Sequence, residues 1–123
     1  MMTGVVTADR EATIRLSVRG PTGSEHAIET VIDTGFDGRL SLPPLLVSHL
    51  GLPWRRRGRG LLADGSESVF DIYEATVIWD GHPRRVPVDE ADTAPLIGMS
   101  LLEGYELTVQ VRSGGNVTIR VLP

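Results

Sequence analysis

No cysteine occurs in the 123 residues, which removes disulfides, thiol nucleophiles, iron–sulfur clusters and thiolate zinc sites from the available chemistry. Lysine is absent as well: all 12 basic residues are arginine, so neither Schiff-base catalysis nor a phosphate-binding loop lysine can operate. Aromatic residues make up only 5% and charged residues 23% of the chain, a balance that suits a folded protein with a modest core rather than a disordered one. The formal charge of −4 supplies no overall basic field for nucleic acid. Apolar runs such as Leu42 to Val47 are far too short to span a bilayer. The opening MMTGVVTADRE lacks the basic start and apolar stretch of a secretory signal, so a soluble, cytoplasmic protein with one domain over residues 1–123 is expected. His26, His49 and His82 do not have the spacing of a metal-ligand set, and neither metal nor cofactor is expected.

What the chain does have is period-2 alternation and frequent turn residues, with 14 Gly and 8 Pro. Ala12, Ile14, Leu16 and Val18 interleave with Thr13, Arg15, Ser17 and Arg19, which puts one apolar and one polar face on a strand. Pro21 to Ser24 turns the chain, and Ala27 to Ile32 reads as the returning strand, ending immediately before Asp33-Thr34-Gly35. A short strand over Arg39 to Leu42 follows. Pro43 and Pro44 then suit the start of a helix in which Leu45, Leu46, His49 and Leu50 follow helical spacing until Gly51 and Pro53 end it.

From Arg59 to Trp79 the pattern is strand, Asp64-Gly65 turn, strand, and a second Asp-Gly at Asp80-Gly81 turns the chain again. A strand through Val86 and Val88, a polar loop from Asp89 to Thr93, and Leu96-Ile97-Gly98 with a short helical stretch from Met99 to Glu103 come next. A last hairpin joins Tyr105–Arg112 to Asn116–Leu122 across Ser113-Gly114-Gly115. Short strands with closely spaced turns predict an all-β fold with one or two short helices, closed into a small barrel-like sheet. A faint internal repeat is also legible. The series of strand, polar loop, short strand and helix that begins at His26 begins again at His82.

Asp33-Thr34-Gly35 at the end of an apolar strand places a carboxylate on a tight loop, beside a hydroxyl able to bond that loop and a glycine where backbones come close. Alone, the triplet reads more readily as an Asp-capped turn than as a catalytic loop. The order of VIDTGFDGRLSLP, the Asp64-Gly65 hairpin and PLIGMSLLEG resembles the retropepsin-like aspartic proteases, and the small prokaryotic members with Phe after Asp-Thr-Gly above all. The resemblance covers about Ala12 to Val111. It implies the closed acid-protease β-fold and a peptidase acting on peptide or protein substrates.

In that family two facing aspartates share a proton, because one carboxylate cannot both activate water and protonate a leaving amine. This chain carries one Asp-Thr-Gly, so the resemblance implies a homodimer that supplies Asp33 twice. By the same resemblance Thr34 braces the two loops across the two-fold axis, while Gly35 and Asp37 border the substrate backbone. Leu96, Ile97 and Gly98 brace the catalytic loop, and the hairpin is a flap whose Ala63, Asp64, Gly65 and Ser66 are candidate substrate contacts. Retroviral enzymes usually carry a small residue where Phe36 stands, which makes Phe36 a determinant of the cleft. Their chain ends also interleave, whereas here Asn116 to Leu122 adds a further strand.

Other patterns lead elsewhere. Asp92-Thr93-Ala94 lacks the glycine of a second catalytic triplet and reads as a surface turn. Gly58, Gly60 and Ala63 match a dinucleotide fingerprint without its strand and helix, and Gly98-Met99-Ser100 lacks the second glycine of a nucleophile elbow. Asn116-Val117-Thr118 is a glycosylation sequon only in a secreted protein. Arg55, Arg56, Arg57 and Arg59 could meet phosphates, but a single arginine run on an acidic chain is usually a solvated face. The alternatives to a peptidase are therefore a non-catalytic peptide-binding or dimerisation module of the same fold and, further off, a nucleic-acid binder through Arg55 to Arg59.

Overall fold

The computed structural model describes residues 1–123 as ten strands and two short helices. In chain order they are β1 (Met2–Val6), β2 (Ala12–Arg19), β3 (Glu25–Ile32), β4 (Leu40–Leu42), α1 (Pro44–Leu50), β5 (Trp54–Leu61), β6 (Glu67–Trp79), β7 (His82–Glu90), β8 (Leu96–Ile97), α2 (Met99–Leu102), β9 (Tyr105–Val109) and β10 (Asn116–Val121). The strands form one sheet in the order β5-β6-β7-β4-β8-β3-β2-β1-β10-β9. A further pairing of β6 with β2, Val18 opposite Val77, closes six of the strands into a ring. The fold is all-β, as the alternation predicts.

Alternation explains where the core sits. Ile14, Leu16 and Val18 of β2 are buried on one face, and they join Val77, Trp79, Val86, Val88, Ile97 and Ile119 in a continuous apolar cluster inside the ring. Thr30 is fully buried among them because its hydroxyl donates to the Ile14 carbonyl at 2.9 Å. α1 starts at Pro44 and ends at Gly51, whose φ of 63° gives the left-handed cap that glycine adopts without strain. Its buried face is rotated from the predicted one: Leu50 and the half-buried Leu46 pack against the core as the spacing predicts, but Val47 joins them, while Leu45 is 87% exposed.

Several boundaries move for reasons that lie outside local sequence. β1 pairs locally with the start of β2 and over most of its length with β10, and the second is a long-range partnership no short pattern announces. β5 begins at Trp54, five residues before the predicted strand, with a bulge between Trp54 and Arg56. Asp89 and Glu90, read as loop, belong to β7 because parallel pairing with β4 sets Ser41 opposite Asp89 and Leu42 opposite Glu90.

The faint repeat is realised in the pairing itself. β3 runs parallel to β8 and β4 runs parallel to β7, while β4 and β8 cross antiparallel between them. Each copy's first strand thus lies against the other copy's second strand.

Candidate active site

Asp33 is the first residue beyond β3. Its N–H donates to the Ile97 carbonyl at 2.9 Å, continuing the parallel ladder in which Val31 N–H meets the Pro95 carbonyl at 2.9 Å. The turn that follows is tied to the aspartate: Gly35 N–H donates to Asp33 Oδ1 at 2.9 Å, and Phe36 N–H donates to the Asp33 carbonyl at 3.1 Å. One carboxylate oxygen is thereby fixed and the other accepts no hydrogen bond within the protomer. The side chain is half-buried, facing solvent from a rigid mount.

The mount is completed by the second copy of the repeat. Gly98 N–H donates to the Arg39 carbonyl at 3.0 Å, Met99 N–H to Phe36 at 2.8 Å and Ser100 N–H to Gly38 at 3.1 Å, and the Ser100 hydroxyl bonds the Asp37 carbonyl. These are the N–H groups that a helix start leaves without partners, here satisfied by the loop after Asp33. Gly98 allows the approach. A Cβ at that position would collide with the Gly38 carbonyl oxygen and lie 2.6 Å from the Phe36 ring. Ile97 and Gly98 therefore hold the Asp33 loop directly, while Leu96 pairs with Val31 in the strand that leads into it.

Asp33, Gly35 and Phe36 open onto a cleft of 530 Å³ whose walls include Val69, Phe70, Asp89 and Leu96. Phe36 is half-buried, its ring against Gly38 and Gly98, so it lines the floor and leaves the cleft open. Asp89 faces the same space. Burial pushes its carboxyl above the usual aspartate range, Arg56 pulls it back down, and the neighbouring charge of Asp37 adds to the rise.

The flap residues singled out in the sequence do not line this cleft. Asp64 accepts hydrogen bonds from Ser66 N–H at 2.8 Å and from the Ser66 hydroxyl at 2.6 Å, which holds the tip around Gly65 (φ 84°) and draws the Asp64 pKa down. Within the protomer the hairpin contributes Ser68, Val69 and Phe70 of β6 instead. Strand alternation contains a signal for Phe70. Asp89 and Ala91 reach the cleft only through the parallel β4–β7 pairing, which the sequence does not reveal. Asp37 is exposed beside the cleft, and Thr34 turns away from it toward α2 and β9.

The arginine run is matched by acids on the adjacent strand. Arg55 bonds Glu74 through two nitrogens at 3.2 Å, Arg57 Nε lies 3.8 Å from Asp71, and Arg59 lies 3.5 Å from Glu67. Glu74 raises the Arg55 pKa and has its own lowered by the same bond. A ladder of cross-strand ion pairs leaves little of this face as a phosphate-binding surface. His26 and His49, far apart in sequence, meet edge to face at 5.3 Å.

No family model matches the sequence, and no curated protein matches it. Among solved structures, the chain is similar to a retropepsin-like aspartic protease from Rickettsia conorii, with a TM-score of 0.60 and 15% identity over 99% of this chain and 91% of that one. It is also similar to EIAV protease complexed with the inhibitor HBY-793, with a TM-score of 0.54 and 16% identity over 77% of this chain and 88% of that one. The fold is retropepsin-like. No helix of the chain is long and apolar enough to cross a membrane.

Proposed function

We infer that the protein is an aspartic endopeptidase whose active unit is a homodimer, with Asp33 of each protomer supplying one half of the catalytic pair. The observation that supports this most directly is the mounting of Asp33 on a retropepsin-like frame. It stands at the exit of β3, one oxygen fixed by Gly35 N–H and the other free, at the edge of a 530 Å³ cleft.

In the reaction, the ionised Asp33 takes a proton from a bound water as the water oxygen attacks the peptide carbonyl carbon. The partner's Asp33, protonated, gives its proton to the carbonyl oxygen, producing a neutral gem-diol. Asp33, now protonated, gives its proton to the leaving nitrogen while the partner's Asp33 takes one back from a gem-diol hydroxyl, and the C–N bond breaks to give an acid and an amine. Like charges in contact disfavour each other, which suits one carboxylate to act as the base while the other carries the proton. Gly35 and Asp37 border the substrate backbone, Thr34 joins the two loops, and Leu96, Ile97 and Gly98 keep the loop in place. Ala63, Asp64, Gly65 and Ser66 form the tip of a hairpin that closes over bound substrate, excluding water from the cleft.

The test is peptide-library cleavage followed by mass spectrometry from acid to neutral pH, run on the wild type and on Asp33→Asn with molar mass recorded for both. Cleavage by a dimeric wild type and none by a dimeric variant is expected. Peptide binding without cleavage by either protein would make the chain a binding module of the same fold and overturn the assignment.

A further inference from the structure

Both phenylalanines of the chain, Phe36 and Phe70, line the 530 Å³ cleft beside Asp33, and Val69 and Leu96 add to its apolar wall. The charged residues along it are all acidic: none of the 12 arginines or 3 histidines reaches the lining. A pocket for apolar side chains gains nothing from a carboxylate in its wall, which costs free energy to desolvate.

The carboxylates differ in what already holds them. Asp33 Oδ1 takes the Gly35 N–H, Glu90 lies beside the Tyr73 hydroxyl, and Asp92 is exposed to solvent. Asp89 has no such arrangement. Val86 and Val88 of β7 point into the core, so alternation turns Asp89 to the cleft, with Ser41 of β4 and Ile72 of β6 opposite it on either side. Its carboxyl is half-buried and takes no hydrogen bond from the protomer. Arg56 on β5 acts on it through charge alone, and Asp37 opposes that effect. A Cβ on Gly38 would lie 3.4 Å from Asp89 Oδ2 and 2.5 Å from Phe36 Cζ, so carboxylate and ring stand side by side over the loop that follows Asp33.

We propose that Asp89 and Phe36 form a side-chain subsite for a basic residue, arginine ahead of lysine, in the peptides this protein cleaves. The inference rests on the peptidase reading for cleavage, and on the cleft for the residue taken. Arginine matches the pair: its apolar stem follows the aromatic wall, and its planar guanidinium stacks on a ring while its fork donates to a carboxylate. Lysine brings the charge and the stem but neither plane nor fork. Either one pairs a charge that the protomer leaves half-buried, whereas glutamine brings no charge and glutamate adds repulsion.

The test is a set of labelled peptides that differ only by Arg or Gln at one position, moved through the sequence in turn. Measuring kcat/KM for each pair at one pH cancels titration of the catalytic pair from the ratio. At neutral pH the wild type should favour Arg at its best position by about 30-fold, the scale of one charge-assisted bond. In Asp89→Asn the ratio should fall to about unity, whatever that variant's absolute rate. Should the variant fail to fold, the wild-type ratio against pH decides: it should climb from acid to neutral pH as Asp89 ionises, and a flat ratio overturns the proposal. A wild type without preference for Arg, or an Asp89→Asn protein that keeps it, overturns it as well. If no peptide is cleaved the peptidase reading falls, and fluorescence anisotropy of the same pairs decides on the subsite alone. Tighter binding of the Arg peptide, lost in Asp89→Asn, supports it; equal or absent binding overturns it.

Discussion

The two copies of the internal repeat build the same frame and end it differently. In the first, β3 runs into Asp33, whose N–H meets the Ile97 carbonyl of β8; in the second, β7 runs into Ala91, whose N–H meets the Leu42 carbonyl of β4. The position equivalent to Asp33 is thus Ala91. Asp92-Thr93-Ala94, which looks like a degraded second triplet in the sequence, is one residue out of register with the first. It also lacks the internal bond that defines a mount for a carboxylate. Asp33 Oδ1 accepts from Gly35 N–H, whereas the Asp92 carboxylate accepts nothing and Thr93 bonds its neighbour Ala94. A frame used twice therefore carries one candidate catalytic acid, which is why the proposed peptidase takes its second from another chain.

The largest expected effect separates these two aspartates. Asp33→Asn should lower kcat/KM for any cleaved peptide by about a thousandfold or more, the scale of losing an acid–base pair, with the fold and dimer unchanged. Asp92→Asn should lower kcat/KM by less than about tenfold, since Asp92 lines the same cleft but lacks the hydrogen-bonded mount that holds Asp33. Comparable losses in the two variants, measured on one substrate, would mean that the second copy takes part in the chemistry and that the frame comparison misplaces the site.

Stability should separate the two helix starts in the same way. Gly98 before α2 and Pro43 before α1 occupy equivalent positions, each following the short central strand of its copy. A Cβ at Gly98 meets the Gly38 carbonyl and the Phe36 ring, so Gly98→Ala should cost about 3 kcal/mol in urea unfolding and loosen the Asp33 loop. Pro43→Ala should cost under about 1 kcal/mol, mostly through the added freedom of the unfolded chain. Equal losses would show that the Asp33 loop can yield around a new methyl group, contrary to the close packing of Gly38 and Phe36.

How far this asymmetry was legible in the sequence depends on the range of the interaction. Asp33 at a strand end, the Asp64-Gly65 turn and the strand–loop–strand–helix series are local patterns, and the chain's alternation carries them plainly. The equivalence of Asp33 with Ala91 is set by which carbonyl each N–H finds across a parallel pair, and partners so far apart in the chain leave no periodic trace. The same applies to β1, to Asp89 and Glu90 in β7, and to the open edge of β9. The exposed Leu45 and inward Val47 show the complementary limit: helical spacing announces a face but not which face the ring receives. The arginine run read as a possible phosphate site because its acidic partners Glu67, Asp71 and Glu74 lie on the neighbouring strand.

The smallest effect concerns the residue two before each loop's frame position, Val31 in one copy and Asp89 in the other. Val31 is ordinary strand, but Asp89 puts a carboxyl where burial disfavours its charge, raising its pKa above the usual aspartate value with only partial relief from Arg56. The folded protein then holds this proton to a higher pH than the unfolded chain does. Over the window from the ordinary aspartate pKa near ~4 up to the raised value, the native state binds more protons, so this group makes stability fall as pH rises. Above that window the deficit is complete; below ~4 it vanishes. Asp89→Asn should therefore raise the urea midpoint at pH 7 and leave it unchanged near pH ~3. Glu74→Gln should do the reverse, because Arg55 holds the Glu74 pKa down and that contribution is present at neutral pH and lost as the carboxylate protonates. An Asp89→Asn protein less stable than the wild type at pH 7 would mean that its charge is paired in the folded protein, by Arg56 or by a cation entering the cleft.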